Sequence, residues 1–161
     1  MSATSNLKTI FNLLNIVLPD NIKQDIEFNL KHNDYINKHI SFIFDLKTRK
    51  IICYEFNVFF KSDSFPFSVH AEIQSIVKYY KSKSISKHKK GLLVVKLSRT
   101  GIIGNSKCCL NCMRFLRNNL SNLNLKEIYY SIVDNRLGKL RKKDLIDDHF
   151  KLSKGFSYCS T

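Results

Sequence analysis

The stretch that most limits the possible folds runs from Leu92 to Leu97 and reads as a continuous apolar run. Such a run suits a β-strand buried on both faces, and a strand with no wet face needs structure layered on either side. Its neighbours offer those layers. His39 to Leu46 and Lys50 to Phe60 are rich in Ile, Phe, Val and Tyr and are separated by Lys47-Thr48-Arg49, which predicts a β-hairpin. After a loop from Ser62 to Ser68, residues Ile73, Ile76, Val77 and Tyr80 form one stripe of a helix from Val69 to about Lys81. Gly101 to Lys107 reads as a loop, and Cys109 to Asn119 as a second helix with Met113, Phe115 and Leu116 on its apolar side. Ile128 to Val133 is a further strand.

At the N-terminus, Leu7, Ile10, Phe11, Leu14, Val17 and Leu18 recur at helical spacing, with Thr4 or Ser5 as cap and Pro19-Asp20 as the stop. Residues 20–37 read as a polar, partly helical connector, and Leu137 to Lys154 as a basic, irregular helical tail. The order α-β-β-α-β-α-β plus tail predicts an α/β fold. It is a three-layer α/β/α sandwich, with a mixed sheet of about five strands and helices on both faces. A chain of 161 residues fits one domain, 1–161, with an N-terminal helical region (1–38), a core (39–135) and a basic tail (136–161). Only 5 glycines and 2 prolines argue against linkers or low-complexity segments.

The run from Ile10 to Leu18 is too short to span a bilayer and is broken by Asn12 and Asn15. It also lacks a basic lead-in and a small-residue cleavage site. The expectation is an intracellular, cytoplasmic protein with no membrane partner. Five cysteines, an odd number with Cys108 and Cys109 adjacent, suit metal ligation or free thiols better than a disulfide framework. The net charge of +14 attracts polyanions and phosphorylated small molecules. Lysines gather between Lys78 and Lys90, and basic residues again between Arg136 and Lys143. A solvated lysine-rich surface and a nucleic-acid footprint both fit this charge.

Chemistry concentrates in two motifs, His70-Ala71-Glu72 and Cys109-Leu110-Asn111-Cys112. Cysteines three apart on a helix project from one face. A helix N-terminus favours the thiolate form that binds metal. With His70 from the start of the other helix, three ligands leave one tetrahedral position of a zinc ion open, the mark of a catalytic site. Zinc in such a site acidifies water toward a pKa of about 7. Glu72, close to the metal without binding it, is placed to carry protons. Other readings of the same residues are a redox Cys pair, a hydrogen-bonded core histidine with small buried thiols, and a structural zinc completed by Cys108 or Cys53.

The H-x-E…C-x-x-C pattern resembles the cytidine/deoxycytidylate deaminase superfamily, which also includes tRNA adenosine and polynucleotide cytidine deaminases. The resemblance covers roughly Ile40 to Val133. Val69-His70-Ala71-Glu72-Ile73 resembles the family's H-A-E helix start, Gly104 to Cys112 its S-x-P-C-x-x-C segment, and Tyr130-Ser131 a pair in the following strand. It implies that His70, Cys109 and Cys112 hold zinc and that Glu72 shuttles protons. It further implies that Asn57 holds the substrate near its sugar and that Ser106 faces the departing amino group. Dimers or larger homo-oligomers are also implied. Two departures stand out: Cys108 replaces the proline before the first ligand cysteine, and Phe59 stands where free-nucleoside enzymes often carry glutamate. The second favours a phosphorylated substrate.

The expected function is hydrolytic deamination of a cytosine-type base in a nucleotide or in single-stranded RNA or DNA. The alternative is a catalytically inactive deaminase-like module that binds nucleic acid. Phe65 or Phe67 could stack on a base, or else plug the core beneath their loop. Lys107, Arg99 and Arg136 are candidate phosphate contacts.

Overall fold

The computed structural model describes residues 3–32, 37–60, 67–82 and 87–145. Among them, helices α1 (Ala3–Leu13) and α2 (Asp20–His32) precede strands β1 (Asn37–Asp45), β2 (Ile51–Phe56), β3 (Val58–Phe60) and β4 (Phe67–Val69). Helix α3 (Ala71–Lys81), β5 (Lys90–Ser98) and β6 (Ile103–Gly104) follow. The described chain closes with α4 (Leu110–Asn119), β7 (Leu125–Ile132), β8 (Arg136–Leu140) and a 3-10 turn, Lys142–Leu145. The main sheet has the order β2-β1-β5-β7-β8, with β6 added along β5. Only β5 and β7 run parallel, joined through α4, and every other pairing in the sheet is antiparallel. This is the mixed sheet expected from the sequence.

Side-chain alternation along the inner strands sorts the core into two layers. Leu93, Val95 and Leu97 of β5, with Ile40, Phe42 and Phe44 of β1, meet Leu7, Ile10 and Phe11 of α1 and Ile22, Ile26 and Leu30 of α2. On the opposite face, Leu92 and Val94 of β5 and Ile43 of β1 meet Ile76 and Tyr79 of α3 and Cys112, Met113 and Leu116 of α4. The strand predicted to lack a wet face is therefore covered by a helix pair on each side. Hydrogen bonds from Ser41 Oγ to Ser75 Oγ (2.8 Å) and from Ser75 Oγ to the Glu72 carbonyl (3.0 Å) tie α3 to β1.

The structure corrects several boundaries. Helix α1 ends at Leu13, well before Pro19. Asn15 adopts φ 54°, and the Ile16 N–H reaches the Phe11 carbonyl (3.0 Å), a left-handed closure that asparagine tolerates better than most residues. Val17, expected in the stripe, is consequently exposed, and Asp20 begins α2. The polar connector is thus a helix for most of its length, because Ile22, Ile26 and Leu30 align on one buried face. The second hairpin strand breaks at Asn57, whose N–H bonds the His39 carbonyl (3.0 Å) and whose side-chain oxygen accepts the His39 N–H (2.9 Å). Beyond that break, β3 pairs with β4, which occupies part of the expected loop.

The helical tail is also overturned at its start. Residues 136–140 form β8, hairpinned onto β7 through Asp134 and Asn135 at φ 63° and 55°. Those are residue types suited to left-handed turn positions. The rest of the expected tail, 146–161, lies outside the described residues, as do Phe65 and Pro66.

Candidate metal centre

Two helix starts build the site. His70 caps α3 with φ −72° and ψ 150°, and Cys109 caps α4 with φ −75° and ψ 169°. The His70 side chain does not turn back to its own helix, and the Cys109 sulfur meets its own helix only at the Cys112 N–H. The loop that delivers Cys109 is pinned between β5 and β7. The Ser106 hydroxyl donates to the Val94 carbonyl (2.7 Å) and accepts the Ser131 N–H (2.8 Å), while the Ser106 N–H donates to the Ser131 carbonyl (2.9 Å). Ser131 Oγ in turn donates to the Gly104 carbonyl (2.7 Å).

So held, three donor atoms converge. His70 Nδ1 lies 3.1 Å from Cys112 Sγ and 3.4 Å from Cys109 Sγ, and all three ligand atoms fall within 4.8 Å of one another. A tetrahedral ion bound by one nitrogen and two sulfurs at ordinary lengths separates neighbouring ligands by about 3.5–3.8 Å. The group can hold a metal ion. Cys112 is buried, whereas His70 and Cys109 are half-buried, which leaves one side of the cluster open.

The electrostatics prepare the thiols for a cation. A hydrogen bond from the Cys112 thiol holds Cys109 down to about 4, with His70 and the Cys112 N–H assisting against the cost of burial. Cys112 is raised by keeping that shared proton, by burial and by the charge on Glu72. The hydrogen bond to Cys109 also raises His70. A metal ion would take the place of the proton these groups share.

Glu72 is 4% exposed, outside the ligand cluster and one helical position past its start. Burial raises its carboxyl, opposed by its own backbone N–H, the charge on His70 and a hydrogen bond from the Cys108 thiol. Cys108 is therefore a partner of Glu72 and stands outside the cluster. Cys53 also stands apart, on β2, with its thiol toward the Ser75 carbonyl (3.6 Å). Among the described residues the cluster has three protein ligands, so neither cysteine completes a closed four-ligand site.

Asn57 is buried, and its N–H and side-chain oxygen are both bonded to the His39 backbone of β1, as described above. Lys107 is exposed on the loop before α4, and its N–H bonds Asn105 Oδ1 (3.0 Å). Phe67 opens β4 opposite Phe60. Arg99 lines a cavity of about 440 Å³ with Ala3, Glu27, Leu30, Lys31 and Thr100, beside the N-terminal helices. Arg136 is exposed at the start of β8.

Two residues at the site escaped the sequence reading. His39 lies near the start of β1 on the α3 face and is pushed down to about 4 by burial, by Lys96 and by His70, with Cys109 opposing. Lys96, its cross-strand partner on β5, is half-buried. The available sign was Lys96 itself, which interrupts the run from Leu92 to Leu97 and corrects its reading as continuously apolar.

The chain matches no protein-family model, no curated protein and no solved structure. The cluster of His70, Cys109 and Cys112 is compatible with a zinc site. No helix among the described residues is long and apolar enough to cross a membrane.

Proposed function

We propose that the protein is a zinc-dependent deaminase acting on a cytosine-type base in a nucleotide or a single-stranded nucleic acid. The convergence of His70 Nδ1 with the Cys109 and Cys112 sulfurs, beside a buried Glu72 outside the cluster, carries this reading. Two thiolates and an imidazole are donors that favour zinc over hard, oxygen-seeking cations. His70, Cys109 and Cys112 would hold the zinc, which would supply a water of lowered proton affinity. Hydrolysis replaces the exocyclic amine of the base with that water's oxygen and releases ammonia. Glu72 takes the water proton, passes it to the ring nitrogen and returns a proton to the departing amine. Its burial keeps the carboxyl from losing that proton to bulk solvent. The Asn57 side chain, fixed against β1, orients the sugar, and the loop carrying Ser106 flanks the leaving group; the Ser106 hydroxyl is committed to Val94 and Ser131, so the backbone carbonyl is the atom it offers.

The test combines metal analysis with ammonia release from cytosine and adenine nucleotides and short single strands. Native protein should carry about one zinc per chain and release ammonia. Glu72→Ala should retain zinc and lose activity by at least about a hundredfold. Protein without zinc, or turnover that survives the Glu72 change, refutes the proposal. The net charge of +14 favours one second reading, a silent deaminase-like module on nucleic acid. That protein would show steeply salt-dependent binding and no turnover.

A further inference from the structure

Lys96 is the one basic residue that the inner strand β5 carries between Gly91 and Ser98. Strand alternation puts it on the face of Leu92 and Val94, which is the face packed by α3 and α4. It pairs across β1 with His39, on the same face as Ser41, whose hydroxyl meets Ser75 of α3. The two side chains stand at the end of the sheet from which α4 receives its ligand loop, and His39 interacts electrostatically with Lys96, His70 and Cys109 together. Among the described residues Lys96 makes no ion pair, and the charged neighbours of Glu72 are His70 and Cys109.

The lysine is also given room. Its chain crosses Gly104 of β6, where a Cβ would lie 3.1 Å from Lys96 Cδ and 3.4 Å from Lys96 Cγ. A half-buried ammonium with no carboxylate beside it is costly unless water or a bound anion compensates it. Half-buried across the strand from His39, it attracts an anion more strongly than a lysine on open surface. His39 adds an imidazole N–H that can donate to an anionic oxygen.

We propose that Lys96 and His39 form an anion subsite beside the metal centre, which receives a phosphate attached to the substrate. The proposal rests on the deaminase reading and names the residues that receive the phosphate carried by its nucleotide or single-strand substrate. The phosphate is either the terminal monoester of a mononucleotide or a diester of a single strand. Lysine serves either as a compact point charge, and the shared chemistry is the phosphoryl oxygen.

Binding to the zinc-loaded Glu72→Ala protein, followed by titration calorimetry at low salt, tests this without relying on turnover. The probes are cytidine, cytidine 5′-monophosphate and a cytosine-containing trinucleotide, with the adenine series alongside. At least one phosphate-bearing probe should bind about tenfold or more tightly than its nucleoside, and which one does identifies the monoester or the diester. Lys96→Met, which keeps the aliphatic chain over Gly104, should collapse that gap, and His39→Ala should narrow it. Lys8→Met, on α1 in the opposite layer, should preserve the gap and so exclude a general effect of net charge. Equal affinity for nucleoside and phosphate-bearing probes, no binding of any phosphate-bearing probe, or a gap that survives Lys96→Met overturns the subsite. A protein that binds phosphate through Lys96 yet releases no ammonia keeps the subsite and fails the deaminase reading.

Discussion

Cys108 and Cys109 are neighbours in sequence with opposite surroundings. Cys109 sits in the ligand cluster, whereas Cys108 is sealed in the core with its thiol on the Glu72 carboxyl. On the proposed deaminase reading, the thiol therefore acts only by positioning Glu72. Cys108→Ala should keep about one zinc per chain and lower kcat about tenfold, the scale of one hydrogen bond to a charged group. Cys108→Ser should recover most of that loss by restoring an O–H donor. Cys112→Ala, in contrast, should strip the metal, which elemental analysis alone reveals. Spacing in the sequence pointed to His70, Cys109 and Cys112 because ligand geometry is local: a step of three along one helix and one cap residue on another. The partners of Cys108, His39 and Lys96 were illegible for the opposite reason. Each meets its neighbour across strands or between elements, and only the register of β1 against β5 brings His39 to Lys96.

Among the elements, β8 shows where periodicity misleads. Leu137 and Leu140 are spaced as on a helix, yet both belong to a strand whose register on β7 is set by a two-residue left-handed turn at Asp134 and Asn135. The turn residues were visible in the sequence, but the lysines and leucines after them outweighed the turn. The hairpin also depends on a missing side chain. Gly138 lies opposite Tyr130, and a Cβ there would clash with the tyrosine ring. Gly138→Val should therefore displace Tyr130 and destabilise the fold by about 1–3 kcal/mol, measured as a lower urea midpoint with an unchanged slope. The N-terminal helices were legible in kind and not in extent. The stripe Leu7, Ile10, Phe11 identified α1, whereas the end of α1 is set by the backbone conformation of Asn15.

For the molecule as a whole, the acid limb of stability has a named source. Asp45, at the β1–β2 turn, accepts the N–H groups of Lys47 and Thr48 (2.8 Å each) and contacts His88 Nδ1 (2.8 Å). The bond from Thr48 and its companions hold the carboxyl down to about 2 from an ordinary 3.8. A carboxyl depressed on folding stabilises the native state above its unfolded value and loses that contribution as pH falls through the folded value. Native protein should therefore lose stability between about pH 4 and pH 2. Asp45→Asn should flatten that limb of a denaturation-versus-pH series. An unchanged limb would assign acid sensitivity to other carboxyls. The layered α/β architecture was the most legible property at this scale, because a doubly buried strand between two amphipathic helix pairs leaves few alternatives. Pairing order within the sheet, by comparison, depends on contacts far apart along the chain.

The ligand cluster has a further consequence for the chain as a polymer. His70 and Cys112 are separated by 42 positions, with β5 threaded between them. A bound ion is then a removable staple, closing a loop whose conformational freedom is worth about 4 kcal/mol if it behaves as a covalent cross-link of that span would. Supply of the ion and foldedness of the polypeptide become coupled quantities, so scarcity of the one would be felt as fragility in the other.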